Sequence, residues 1–434
     1  MARLTEFAAR HGDTLPRIAA GSVLAMPLFL MHAHGVAEVL IAVTDACFLA
    51  CCAQAGDWRW LRTIWVRLAF AWWGWVLICS LANRDGIFQA VLQFRLPLFI
   101  AALEFFALRD PRVRRWLWRV IAACAAWIAA QSLLQLATGH NLFGDGRGAA
   151  GELTGPFRKA RAGPPLSRIL LPVLIPPAAA LLAGRRALRT AGAYALLLAG
   201  LCMIVLINQR MPALLTAFGM VICALLLPRL RPVVLAAIVA GGALIAASAV
   251  ISPYTYQRLV LSFSHQMEDF ASSHYGLTYT RAAEIGRQHP WIGLGFDGFR
   301  HGCDEPRYFR PSFDGKEPQG GGGEICTQHP HNFYMEALDS GGVPGLLLFS
   351  ALAASWLASV GVGLWRNPAP LRVGLFASVL IQVWPIASTG AFSSMPMGGW
   401  FFLLLGWALA ETRHRPTTTS PESGGLKSIL QTVV

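Results

Sequence analysis

The chain is short of charge. Only 14% of its 434 residues are Asp, Glu, Lys or Arg, against roughly 25% in an ordinary soluble domain. That scarcity, beside a hydrophobic content of 55% and a mean hydropathy of +0.49, excludes a soluble globular enzyme, a disordered chain and a coiled coil. Tyrosine is scarce as well. With 7 Tyr against 24 Phe and 15 Trp, the aromatic surface is largely apolar, and Trp favours membrane interfaces. Acidic residues are the rarer charge, 23 against 36 basic ones, which leaves a net charge of +13. Such a balance can mark a nucleic-acid binder, but the cations fall in short clusters between apolar runs and not on one soluble face, so no nucleic-acid partner is expected. The composition is that of a polytopic membrane protein.

Crossing about 30 Å of hydrocarbon takes roughly 17 to 25 apolar residues. On that measure the sequence divides into about twelve spans, near 18–34, 35–54, 62–83, 86–108, 115–137, 164–183, 192–209, 211–228, 232–251, 343–365, 371–390 and 397–411. The first two share one run interrupted only by Met31 to Gly35, and read as a hairpin they set the topology. With the N-terminus (Arg3, Arg10, Arg17) inside, the basic loops at Arg59–Arg62, Arg109–Arg119, Arg185–Arg189, Arg229–Arg231, Arg366–Arg372 and Arg413–Arg415 all fall on one side, as the positive-inside rule expects. No cleavable signal peptide is expected, because the first run continues into further spans without a small-residue cleavage site. The organisation expected is helices 1–9 over residues 1–251, a large outside loop at 252–342, helices 10–12 over 343–411 and a disordered cytoplasmic tail at 412–434. The fold class is all-α, with a large, mainly helical outside loop.

Function is expected on the outside. A connection of about 90 residues is too long to be bare chain, and 252–342 reads as a small cap: a Leu259, Phe263, Met267, Phe270 stripe facing the membrane domain or the interface, a helix from Thr280 to Gln288, then a Gly/Pro-rich stretch. A second outside loop, 138–163, is Gly-rich and basic. Seven of the nine cysteines (Cys47, Cys51, Cys52, Cys79, Cys124, Cys202, Cys223) lie in spans as small hydrophobes. Cys303 and Cys326 alone lie outside, where an oxidising compartment makes them a disulfide candidate.

Cations that face outward against the charge bias are the informative ones. They are Arg147, Arg158, Lys159 and Arg161 in the first loop, Arg210 in the short turn Ile207–Pro212, and Arg258, Arg281 and Arg287 in the cap. Arginine suits phosphate through its two-pronged donor face, although cations at a membrane surface also meet lipid headgroups. Arg210 is singled out because so short a turn leaves its guanidinium at the interface, where a charge is costly. Asp45, Arg67, Arg95 and Glu104 within spans read equally well as paired structural ions. In Gln328-His329-Pro330-His331-Asn332, followed by an apolar periodicity, His331 falls near a helix N-terminus, whose positive dipole disfavours imidazolium and leaves a ring able to accept a proton. His274, His289, His301 and His329 lack the spacing of a metal site, and Glu268-Asp269 and Asp304-Glu305 read as solvated charges.

His331-Asn332, nine residues, then Gly342-Val343-Pro344-Gly345 resembles the His-[Asn/Ser/Gln]-x9-Gly-x-x-Gly signature of the bacterial O-antigen ligase and polymerase superfamily. Arg210-Met211-Pro212-Ala213-Leu214 is similar to its Arg-x-x-x-Leu element. Arg281 ahead of Pro290-Trp291-Ile292-Gly293-Leu294-Gly295-Phe296-Asp297-Gly298-Phe299 resembles its Arg…Pro-x-x-Gly-x-Gly-x-x-x-Phe stretch. The likeness covers about residues 200–350, and Gln209 departs from it where relatives often carry Ser.

Within the superfamily the resemblance is nearest to O-antigen ligases, partly through Gly155–Gly163 leading into a Leu/Pro-rich span. It implies an inner-membrane glycosyltransferase with its site toward the periplasm, moving a glycan from undecaprenyl pyrophosphate to a sugar hydroxyl of lipid A-core, with inversion and without a required metal or other cofactor. In those terms His331 is the general base, Arg210 and Arg281 hold the donor pyrophosphate with Arg147, Arg158 and Arg161 in support, and Asn332, Gly342 and Gly345 are motif positions. The partners implied are the lipid-linked glycan, the lipid A-core acceptor and membrane lipid. A polymerase or a protein O-oligosaccharyltransferase of the same superfamily is the alternative. A transporter is disfavoured, because the candidate residues collect at the outside face and the sequence shows no two-fold internal similarity.

Overall fold

The structure is a computed structural model that describes residues 14–184, 186–251, 253–309, 322–387 and 390–414. Arg3, Arg10, Arg185, Arg415 and the tail beyond it lie outside the described residues.

Helices occupy each of the twelve apolar stretches. They are α1 (Thr14–His32), α2 (His34–Ala55), α3 (Ile64–Asn83), α4 (Ile87–Ala107), α5 (Pro111–Thr138), α6 (Gly163–Leu182), α7 (Ala187–Leu206), α8 (Arg210–Leu226), α9 (Arg231–Ile251), and, after the cap helix α10 (His274–Gln288), α11 (Phe333–Gly361), α12 (Pro370–Gln382) and α13 (Met395–Arg413). Among the described residues nine are long and apolar enough to cross a membrane: α1 to α7, α9 and α11. The α8 and α12 helices are apolar but shorter. The protein is thus an all-helical, multi-pass membrane protein. Helix is the form this composition demands, because lipid offers no partner to a backbone N–H or C=O.

Local chemistry fixes the boundaries. Ala33 breaks the first apolar run, and α1 and α2 pack side by side as a hairpin. Asp110 caps α5, its carboxylate accepting from the Arg112 N–H at 2.7 Å, with Pro111 at the first helical position. The α4 helix is interrupted at Gln93 and Phe94 and closes with a π-type turn at Leu103–Ala107. The α11 helix starts ten residues before the expected span. It bends at Gly342, whose φ of 64° and ψ of −162° are not helical, so the expected loop boundary falls on a kink and not on a helix start.

One end of the bundle gathers basic loops and binds them with acids. Arg413 pairs with Glu104 at 2.5 Å, Arg114 with Glu411 at 2.9 Å and Arg59 with Asp57 at 2.7 Å. Arg372 donates to the Val362 carbonyl and the Thr412 hydroxyl, at the far end of α11 from His331. Two ions flagged within spans are likewise paired: Glu104 as above, and Arg95, which meets Glu38 at 2.8 Å.

Candidate active site

The opposite end is organised by two helix starts. Asn332 caps α11, its side-chain oxygen accepting from the Tyr334 and Met335 N–H groups while its amide donates to the Pro385 carbonyl at 2.6 Å. The Asn of the His-Asn pair therefore has a structural job: it starts the helix and anchors it to the segment after α12. His331, one residue earlier, has a φ of 55°, a conformation unusual for a side-chain-bearing residue and one that concentrates at functional sites. It leaves the ring half-buried, 5.5 Å from the Tyr275 ring and 4.5 Å from that of His329.

The second helix start is that of α8. Arg210 is its first residue and follows Asn208, which also has a positive φ of 62°. The guanidinium donates to the Gln266 side chain at 2.9 Å and lies 5.9 Å from the Phe263 ring. Its Nε is buried and has no hydrogen-bond partner. A cation beside the exposed N–H groups of a helix start concentrates positive potential from two sources, an arrangement suited to an anion. Tyr275 and Arg258 are close enough to Arg210 to interact with it electrostatically. Arg210 and His331 therefore share one neighbour, Tyr275, which the sequence reading did not single out. Only its place two residues into a capped amphipathic helix offered a signal.

Loop 138–163 is a fixed structure held by buried amides. Gln135 donates to the Gly146 carbonyl and the Thr154 hydroxyl and accepts from the Thr154 N–H. Asn141 donates to the Gly155 carbonyl at 2.8 Å. Gln209 donates to the Ala160 carbonyl and accepts from the Gly163 N–H, so the residue that departs from the motif staples this loop to the Arg210 turn. The loop holds Arg147, Arg158, Lys159 and Arg161 exposed to solvent, and Phe157 packs 5.6 Å from the His32 ring. Glu152 joins the two loops by pairing with Arg258 at 2.7 Å.

Arg281 is placed differently from the other candidates. It is 3% exposed inside the cap, donates to the carbonyls of Cys303 and Gly322, and lies 4.2 Å from the Phe309 ring. Burial pulls its pKa down, opposed by Glu324 and Asp304. Cys303 and Cys326 are joined in a disulfide directly against it. Arg287 pairs with Glu284 at 2.7 Å. The apolar stripe of the cap is largely exposed, with Phe263 meeting Arg210 and Phe270 6.1 Å from Tyr279.

The glycine motifs act as scaffold. The Leu294 and Gly295 N–H groups donate to the Asp339 and Ser340 carbonyls at 2.8 and 3.0 Å, and the Val343 N–H donates to the Pro290 carbonyl at 2.8 Å. These bonds satisfy the backbone groups that the kink in α11 frees. The approach is so close that a Cβ on Gly293 would lie 2.4 Å from the Gly341 nitrogen, and one on Gly342 would lie 2.7 Å from the Pro290 oxygen. Gly345 is tight for a similar reason, against the Ala337 carbonyl. On the other side, Asn83 donates to the Gly293 carbonyl and the Phe296 N–H donates to Ser80, tying the cap turn to the end of α3.

No curated protein matches the chain. Residues 195–350 match the family model described as O-antigen ligase. The matched segment runs from α7 into α11, and so includes Arg210, Tyr275, Arg281, the disulfide, His331 and both glycine motifs. That match covers just over a third of the chain and supports membership of the O-antigen ligase/polymerase superfamily.

Proposed function

We propose that the protein is an O-antigen ligase of the bacterial inner membrane, with twelve spans, both termini cytoplasmic and its site toward the periplasm. In this reading it transfers the glycan of undecaprenyl-pyrophosphate-linked O-antigen to a sugar hydroxyl of lipid A-core, with inversion and without a metal. The observation that carries it is the convergence of a proton acceptor and a helix-start arginine on one side chain: His331 by ring contact with Tyr275, and Arg210 by charge.

In the reaction, neutral His331 takes the proton of the acceptor hydroxyl as that oxygen attacks the anomeric carbon. The bond from that carbon to the pyrophosphate oxygen breaks, and polyprenyl pyrophosphate leaves with the electron pair. Arg210 and the N–H groups at the start of α8 receive the developing negative charge, and exposed Arg147, Arg158 and Arg161 draw the polyanionic donor in. Arg281, turned toward the Cys303 and Gly322 carbonyls, holds the cap in shape.

The test is reconstitution with lipid-linked O-antigen and lipid A-core. Product on lipid A-core that disappears with His331→Ala supports the proposal. Product only on a second lipid-linked glycan would make the protein a polymerase, and activity abolished by a chelator while the fold stays intact by tryptophan fluorescence would overturn the metal-free step.

A further inference from the structure

A small cavity lies one helical turn beyond His331, between α11, the broken part of α4 and the turn after Gly295. Its polar lining consists of Gln93, Asp297, Glu336, Ser340 and Ser393, and its volume is about 20 Å³. Each of these side chains brings oxygen. Gln93 is 7% exposed and its side-chain carbonyl oxygen has no hydrogen-bond partner. Glu336 accepts from the Phe392 N–H at 3.0 Å and interacts electrostatically with Asp297. The nearest pairing of Asp297 is with Arg300, at a loose 3.9 Å. Asp339, 1% exposed with neither carboxylate oxygen hydrogen-bonded, adds to the negative field at Glu336.

Volume settles the size of the occupant. A site of about 20 Å³ takes one water-sized species, since a water needs about 10–15 Å³. A sugar ring does not fit, although Trp72, Trp73 and Phe392 on the walls would otherwise suit one. Charge decides between the small species. Two neighbouring carboxyls in a buried site resist ionising together unless a positive charge lies between them, and an unsatisfied amide oxygen aimed at the same space asks for a donor or a cation. A water brings only two hydrogens to five oxygen-bearing side chains. Hard cations are ligated by this mixture of carboxylate, amide and hydroxyl oxygens. The described residues hold no group of three or more His, Cys, Asp or Glu fit for a metal, so this is not a zinc-type centre.

We infer that the cavity holds one hard cation of the sodium or calcium class, ligated by the Asp297 and Glu336 carboxylates and the Gln93 carbonyl oxygen, with the Ser340 and Ser393 hydroxyls completing the shell. The ion clasps four segments remote in sequence and fixes the helix that carries His331. It takes no part in glycosyl transfer, and the inference stands apart from the proposed reaction. Trp72, whose indole N–H also lacks a partner, makes a water the competing occupant.

Thermal unfolding of the full chain in detergent, followed by tryptophan fluorescence, separates the two. Sodium chloride is compared with choline chloride at equal ionic strength, and millimolar calcium is added in a separate arm. The expected result is a Tm raised by about 2–4 °C by sodium or by calcium over choline, with the effective salt naming the ion. That rise should vanish in Glu336→Gln and in Asp297→Asn, the latter at the rim where loss of folding is least expected. An identical Tm in all salts would leave a water as the occupant and overturn the inference. So would a cation effect of full size in Asp297→Asn, because the ion would then bind elsewhere.

Discussion

The two ends of the helix bundle use arginine in opposite ways. At the end where α5 begins and α11 ends, Arg413, Arg114 and Arg59 meet Glu104, Glu411 and Asp57, and the charges are largely spent on one another. At the His331 end, Arg210 has, among the described residues, only the neutral amide of Gln266 as its hydrogen-bond partner, and Arg147, Arg158 and Arg161 stand in solvent. Glu152, an acid of that region, is committed to Arg258. The lesson is that the net charge of +13 is uneven in what it can do: where carboxylates are at hand the arginines become structure, and at the His331 end they are left for the anionic donor of the proposed reaction.

Substitutions at each end should break this symmetry of residue type. The largest effect is expected at His331, where Ala removes the proton acceptor and lowers the transfer rate by about a thousandfold, while the melting temperature of the purified protein stays within a degree or so of wild type. Next is Arg210→Ala, with a loss of about a hundredfold in turnover on lipid-linked donor. Arg210→Lys should recover only part of it, because an ammonium lacks the forked donor pair. Equal rates for wild type and Arg210→Ala in a single-turnover assay would remove the distinction between the two ends.

Arg413→Ala reverses the pattern. Leaving Glu104, 3% exposed, without its ionic partner should cost about 2–3 kcal/mol of stability, less than breaking a fully buried pair, because Arg413 is itself one-third exposed. Activity per folded molecule should hold, which a denaturation curve run beside the transfer assay would check. The smallest effect belongs to Arg158→Ala or Arg161→Ala singly, a rise in apparent KM for the donor of about two- to fivefold. High salt should shrink it, since exposed charges are screened.

Much of this architecture was legible in the sequence, because hydropathy reports where backbone must satisfy itself. All twelve apolar stretches are helical, and the break between α1 and α2 falls within Met31–Gly35 as the hairpin reading required. The helix start after Pro330 was visible in the periodicity that follows it. What the residues did not disclose is how distant segments meet. Arg281 looked like Arg210 in one dimension, yet the fold turns one into the cap beneath a disulfide and sets the other at a helix start. Glycines that read as signature positions proved to be places where two backbones touch, a contact no side-chain pattern encodes. Tyr275 and the cavity beside Glu336 depend on folded proximity in the same way.

The backbone clasp between Pro290–Gly295 and Asp339–Val343 also imposes an order on biogenesis. Its halves are about 45 residues apart in the chain, so the first is complete while the second is still being synthesised. The clasp can form only once the first turns of α11, through the bend at Gly342 to Val343, have been made. Maturation of the turn that carries His331 is therefore coupled to synthesis of a late helix, and a nascent chain stalled before Asp339 would carry His331 and Asn332 and yet lack every bond of the clasp.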